Sequence, residues 1–131
     1  ASQNHCMMGH LDEWFYSQLG GIRNEGVAYD SITIAPYFAP DLSWVKTHIS
    51  TVRGDVNVEW EKDDDKTILL NVSITFGAKA SVVVPNTFHI TERGNSLDSA
   101  KGVRGVVQEA QNLNISIGSG SYRFLMSIKA D

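Results

Sequence analysis

The alternation of apolar and other residues in the middle of the chain constrains its fold most strongly. From Ile68 to Phe76 every second residue is large and apolar, and most residues between them are polar. Successive side chains of a strand point to opposite faces, so this pattern predicts a strand with one buried face. Tyr122 to Ile128 alternates in the same way. Because such strands need a second apolar layer over them, we expect two packed sheets.

Shorter stretches of the same character recur along most of the chain. Residues 93–105 differ, since they are rich in Gly, Ser and Asp and are expected to form an exposed excursion. About eight short strands at this spacing predict a mainly β fold, an antiparallel and jelly-roll-like β-sandwich. The further predicted strands lie at 31–35, 42–50, 55–61, 81–84, 87–91 and 113–117.

The first residues follow a helical period instead. Met8, Leu11, Phe15 and Leu19 recur at intervals of three and four residues, which predicts one N-terminal α-helix over residues 2–19. The two glycines that follow are a typical helix end. We therefore expect two parts: residues 1–22, ending the helical segment, and residues 23–131, forming the sandwich.

This predicted helix is apolar around much of its circumference. Helices of that kind are normally covered on several sides by other elements. Left uncovered, the helix would expose a large apolar patch, and burying apolar surface is favourable by about 25 cal/mol per Å². We therefore expect the isolated chain to self-associate through the helix, around Met7, Leu11, Trp14 and Phe15.

Composition excludes two classes of function. The net charge is -4, and the eleven basic residues are scattered along the chain, so no basic patch for nucleic acid is indicated. No apolar run reaches the roughly 18 residues that a membrane-spanning helix needs. The single cysteine, Cys6, cannot form an intramolecular disulfide and leaves the cellular compartment undetermined.

Several segments resemble a known family. The first runs from Asn4 to Ile22 and matches the family pattern without a gap at Asn4, His5, Gly9, Glu13, Trp14, Tyr16, Gly21 and Ile22. Further matches fall at 31–36, 42–46, 53–54, 58–60 and 117–124. On these residues the chain resembles the C-terminal region of the bacterial α-L-rhamnosidases of glycoside hydrolase family 78. That region is the last helix of an (α/α) catalytic barrel followed by a β-sandwich.

The resemblance implies a longer parent enzyme that hydrolyses terminal α-L-rhamnosyl bonds with inversion. Inversion needs two carboxyl groups about 6.5 to 9.5 Å apart, one protonating the leaving oxygen and the other activating water. In the family both lie upstream of the segment that begins at Asn4. We therefore expect a C-terminal fragment that is structural and non-catalytic and uses no cofactor. Rhamnose-containing glycosides would bind the intact parent only.

The resemblance also implies one substrate-binding residue, His5. The family's histidine at this position contacts the bound rhamnose, and a neutral imidazole can hydrogen-bond a sugar hydroxyl. The alternative is a histidine near the start of a helix that only caps or packs. In this chain alone we expect no measurable binding at His5, because the other walls of the sugar pocket are missing from the sequence.

Other ionisable residues do not form a site by their spacing. Asp12 and Glu13 are adjacent, so on a helix they point about 100° apart and do not converge on one substrate. His5 and His10 lack the four-residue spacing that places two metal ligands on one helix face. The run from Asp63 to Asp65 lacks the ligand spacing of a calcium loop and is expected to be a hairpin tip. We expect no metal site.

A competing function belongs to another class: a non-catalytic carbohydrate-binding module that works through exposed aromatic side chains. Its candidates are Tyr37, Phe38, Trp44 and Trp60. Trp60 shares a strand face with two valines and is expected in the core, whereas Tyr37 and Phe38 lie between two prolines and leave both interpretations open. Residues 118–121 are Gly- and Ser-rich, but a phosphate-binding loop needs a following helix, so we expect a hairpin turn.

Overall fold

The chain is almost entirely β-structure in the computed structural model, which describes residues 21–24, 31–64 and 66–129. The mainly β class predicted from the alternation is confirmed. A three-residue 3-10 helix, Leu97–Ser99, interrupts the strands. The strands are β1 Ile22–Asn24, β2 Ser31–Ile34, β3 Trp44–Thr51, β4 Gly54–Asp64, β5 Thr67–Ile74, β6 Lys79–Pro85, β7 Phe88–Glu92, β8 Asn95–Ser96, β9 Val103–Glu109, β10 Asn112–Ile117 and β11 Gly120–Ile128.

The strands form two sheets. One has five strands in the order β1-β2-β6-β10-β9, and the other has six in the order β3-β4-β5-β11-β7-β8. The prediction of an antiparallel sandwich was wrong for one pair, since β2 and β6 run parallel. The connection between them passes through β3, β4 and β5 in the other sheet, and parallel neighbours require such a long crossover.

The prediction of about eight strands was too low, because three strands carry little periodic signal. β1 and β8 have three and two residues, too few for alternation to show. β9 is an edge strand with mostly exposed residues and contains Gly105. Residues 93–105, which the sequence predicts as an exposed loop, therefore contain β8 and the start of β9.

The core lies between the inner faces of the two sheets. Along β5 half-buried and buried residues alternate over the whole strand, as the sequence predicts. Trp60 on β4 is only 1% exposed. Phe38, from the loop between β2 and β3, packs edge-on against it with 5.2 Å between ring centroids. The largest fully buried side chains are Trp60, Phe124, Ile32, Ile34, Leu70, Ile74, Ile115, Ile117, Met126, Val56, Val58 and Val72.

The predicted N-terminal helix at 2–19 lies outside the described residues, so the helix and the self-association expected through it stay predictions. The first described strand, β1, begins at Ile22, which is buried and pairs with Ile34 of β2. Among the described residues, none lies in a helix with the length and apolar character needed to span a membrane.

The hairpin turn between β10 and β11, predicted from the glycines and serines at 118–121, is confirmed and carries a buried hydroxyl group. Tyr122 Oη lies 2.9 Å from the carbonyl oxygen of Gly118 and 3.1 Å from that of Ser119. A Cβ on Gly102, whose φ is +87°, would approach this hydroxyl to 2.6 Å, so the close packing requires glycine. Burial raises the pKa of Tyr122 above its ordinary value of 10.0, because the charged phenolate is poorly solvated inside the sandwich.

We expect Tyr122→Phe to lower the free energy of unfolding by about 1 kcal/mol near neutral pH, because the carbonyl groups lose their donor. The raised pKa gives a second signature. Folding holds the Tyr122 proton more tightly than the unfolded chain does, so this stability is present below pH 10.0 and is lost as the pH rises through the folded-state pKa.

Urea unfolding on both sides of pH 10.0 measures this effect. Wild type should lose more stability above that pH than Tyr122→Phe does. Tyr37→Phe is the control, since Tyr37 is 59% exposed. Equal alkaline losses in wild type and Tyr122→Phe would contradict the role of the buried hydroxyl.

Candidate functional site

The candidate site residues that the family resemblance and the helix pattern bring forward lie outside the described part of the chain. This holds for His5, His10, Asp12 and Glu13, so the sugar contact implied for His5 stays a prediction. Asp65, in the expected hairpin tip, is also outside. Among the described residues, no group of three or more His, Cys, Asp and Glu side chains is arranged to hold a metal ion.

The four aromatic candidates separate into two groups. Trp60 is buried, which confirms the core prediction, and Phe38 packs against both Trp60 and Phe88. Tyr37 and Trp44 instead face solvent, with 59% and 60% of each residue exposed. The loop between the prolines therefore turns one aromatic inward and one outward.

Trp44 lies in a groove on the outer face of the six-stranded sheet. The register of β3, β4 and β5 aligns Trp44 with Glu61, and Glu61 with Leu69. The neighbouring row aligns Lys46 with Glu59 and Asn71 in the same way. The groove has a volume of about 350 Å³. We call it the Trp44 groove, and the outward-facing side chains that line it are those of Trp44, Lys46, Glu59, Glu61, Leu69 and Asn71.

One hydrogen bond orders the polar side of the groove. Asn71 Nδ2 donates to Glu59 Oε1 over 3.3 Å. Lys46 and Glu61 are both exposed, and neither forms an ion pair with another described residue. The groove thus combines an indole ring and a leucine with acceptors from two carboxylates and donors from an amide and an ammonium group.

The shape of the groove favours binding over bond cleavage. The groove is only partly enclosed, so part of a bound ligand would stay in contact with water. Cleavage sites generally exclude water and hold reacting groups around the bond. A partly enclosed surface with an aromatic ring and a few placed polar groups can recognise a ligand without excluding all water.

A buried carboxylate lies at the end of β7, on the inner side of the same sheet. Glu92 is 3% exposed, and its Oε2 accepts the backbone N–H of Arg123 over 3.0 Å. The same oxygen lies 3.2 Å from Nε of Arg93, whose side chain is 54% exposed. Glu92 therefore fastens the end of β7 to β11 and does not contribute to the groove.

A polar network continues the outer face beside the groove. His48 Nε2 lies 3.0 Å from Ser50 Oγ, and His48 Nδ1 lies 2.5 Å from Asn57 Oδ1. This order superficially matches a nucleophile, a base and an orienting group. Ser50, however, donates its proton to Asp55 Oδ1 over 3.1 Å, so it does not donate to His48. The network is an exposed set of hydrogen bonds rather than an activated nucleophile.

Comparison with known proteins identifies a family. A model described as the bacterial alpha-L-rhamnosidase C-terminal domain matches residues 21–96. An alpha-L-rhamnosidase of Formosa agariphila is 25% identical over 129 residues, covering 95% of this chain and 13% of the relative. An alpha-L-rhamnosidase of Alteromonas sp. (strain LOR) is 25% identical over 95 residues, covering 72% of this chain and 10% of the relative.

Solved structures show the same fold. The alpha-L-rhamnosidase from Dictyoglumus thermophilum superposes with a TM-score of 0.78 at 29% identity, covering 96% of this chain and 14% of that one. The Streptomyces avermitilis alpha-L-rhamnosidase complexed with L-rhamnose gives a TM-score of 0.73 at 22% identity, covering 93% and 11%. The chain therefore spans only 10% to 14% of the length of these relatives.

Proposed function

The chain belongs to the family of bacterial α-L-rhamnosidase C-terminal domains, and from that premise we propose that it is the non-catalytic C-terminal domain of a longer, inverting α-L-rhamnosidase. The family match over residues 21–96 carries the proposal. It includes β1 to β8, and so both sheets of the sandwich contribute to it. The parent would hydrolyse terminal α-L-rhamnosyl bonds with catalytic residues outside this chain.

The position of the groove carboxylates supports a non-catalytic role. Glu59 and Glu61 are two residues apart on one strand, about 6.6 Å along its axis. That spacing falls at the lower end of the range for an inverting pair, but an inverting acid and base act from opposite faces of the sugar ring. The two carboxylates instead project from the same side of an open sheet, so they would meet the same face of a bound sugar.

A structural role fits the point where the sandwich begins. The carbonyl oxygen of Gly21 accepts the N–H of Ala35 over 2.9 Å. Gly21 has a φ of +74°, and a Cβ there would lie 2.1 Å from the Ala35 backbone. The backbone therefore enters the sandwich at Gly21 in a restricted conformation that favours glycine. We propose that this junction sets the direction of the preceding segment and that the sandwich packs beside the barrel, covering its last helix.

The test compares hydrolysis of a chromogenic α-L-rhamnoside by this chain and by the natural protein that contains it. We expect turnover only by the longer protein. Proton NMR of the early reaction should show β-L-rhamnose first, because inversion converts the α linkage into the β anomer. An α anomer formed first would contradict inversion, and a longer protein inactive on rhamnosides would contradict the proposed substrate.

Carbohydrate binding is a second candidate function, and the exposure of Trp44 is the observation that favours it. An indole that is 60% exposed contributes little to the core of the sandwich. It lies instead beside hydrogen-bonding side chains in the Trp44 groove. Both functions are compatible, since a domain can pack against its parent through one face and bind a glycan on another.

A further inference from the structure

We propose that the Trp44 groove is a glycan-binding site for a neutral, rhamnose-containing saccharide. The inference rests on the proposed function only for the identity of the sugar, and it replaces the sequence-based expectation that rhamnose-containing glycosides bind the intact parent only. The site itself follows from the register of β3, β4 and β5, which brings one aromatic, one aliphatic and four polar side chains onto one open surface.

Trp44 supplies the surface on which a sugar ring would pack. The other tryptophan that the structure describes, Trp60, is 1% exposed, whereas Trp44 is 60% exposed. The cross-strand neighbour of Trp44 is Glu61, so no apolar side chain on β4 covers the indole there. Indole offers a broad apolar face and one N–H donor, a combination suited to a ligand with an apolar face and polar edges.

The polar side of the groove is arranged to meet hydroxyl groups. The hydrogen bond from Asn71 to Glu59 holds both side chains in position before a ligand arrives, which lowers the entropic cost of binding. Asn71 retains its carbonyl oxygen and a second N–H, and Glu59 retains its other oxygen. Neighbouring hydroxyls of a sugar can each donate and accept a hydrogen bond, so they match this mixture of donors and acceptors.

The remaining residues narrow the class of ligand. Lys46 carries one positive charge against two negative charges on Glu59 and Glu61, which disfavours an anionic ligand. Leu69 continues the apolar surface next to Glu61 and can contact a methyl group, which rhamnose carries as a 6-deoxy sugar.

A stable protein partner would cover about 800 Å² on each side, much more than one indole and one leucine offer.

Calorimetric titration of the 131-residue chain with methyl α-L-rhamnoside and a rhamnose-terminated disaccharide tests the proposal. We expect saturable binding that Trp44→Ala weakens at least ten-fold. Glu61→Gln keeps a side chain of the same size and should weaken binding less. Tyr37→Ala is the matched control, because Tyr37 is 59% exposed but does not line the groove. Thermal unfolding of each variant should match wild type.

Three outcomes would overturn the proposal. They are absence of saturable rhamnoside binding by wild type, equal binding by wild type and Trp44→Ala, and an equal loss in Tyr37→Ala. Binding of a gluco-oligosaccharide but of no rhamnoside would also overturn the stated ligand class. None of these outcomes decides the proposed function, which depends on hydrolysis by the longer protein.

Discussion

Trp60→Ala is expected to lower the free energy of unfolding by about 3 to 5 kcal/mol. Trp60 is 1% exposed on the inner face of β4, and Phe38 packs edge-on against its ring. Truncation would leave a large cavity and remove the surface on which the loop between β2 and β3 rests. Natural domains are stable by only about 5 to 15 kcal/mol, so this loss removes a large fraction of the total stability.

Trp44→Ala is the matched control for this substitution. It changes the same residue type in the same sheet, but Trp44 is 60% exposed. Surface substitutions usually change stability by no more than about 0.5 kcal/mol. Urea denaturation followed by circular dichroism gives both values, and similar losses in the two variants would show that Trp60 is not the core anchor.

Glu92→Ala is expected to lower the free energy of unfolding by about 1 to 3 kcal/mol, the largest loss after that of Trp60→Ala. The substitution removes the carboxylate that accepts the Arg123 N–H over 3.0 Å. A partly buried amide left without its acceptor loses the hydrogen bond but does not regain full hydration. The pairing between the end of β7 and β11 should weaken, so the Arg123 amide should exchange its hydrogen faster.

Two variants separate the contributions at this site. Glu92→Gln retains an oxygen that can accept the Arg123 N–H, so it should lower the free energy of unfolding less than Glu92→Ala does. Arg93→Ala removes the ionic partner, but the Arg93 side chain is 54% exposed, so the loss should stay under about 1 kcal/mol. Unchanged exchange at Arg123 in Glu92→Ala would contradict the fastening role of the carboxylate.

Local periodicity predicts the sandwich because alternation alone decides which face of a strand is buried. Ile68, Leu70, Val72 and Ile74 of β5 are all buried, as their spacing requires. The same rule places Trp60 in the core. These predictions need no information about neighbouring strands, so they hold before the topology is known.

The same periodicity does not predict which strands pair with one another. The parallel contact of β2 with β6 depends on a crossover through the other sheet. β9 is held as an edge strand by its register with β10, and its exposed side chains give no alternating signal. Long-range pairing of this kind follows from packing of the whole chain rather than from any local window.

The Trp44 groove could be predicted only in part, for the same reason. Trp44 is recognisable as an aromatic candidate from the sequence. Glu59 and Glu61 alternate with core residues along β4, which indicates that they face outward. Their position beside Trp44 and Asn71 depends on the register of three strands, and a shift of one residue would turn each side chain to the other face.

The most direct test of a non-catalytic domain is an assay of this chain alone on a chromogenic α-L-rhamnoside, with Glu59→Gln and Glu61→Gln beside it. Wild type and both variants should release no chromophore above the buffer blank, because the groove presents its carboxylates to one face of a sugar only. Release by wild type that either variant abolishes would contradict the proposed role and would locate catalysis in the Trp44 groove.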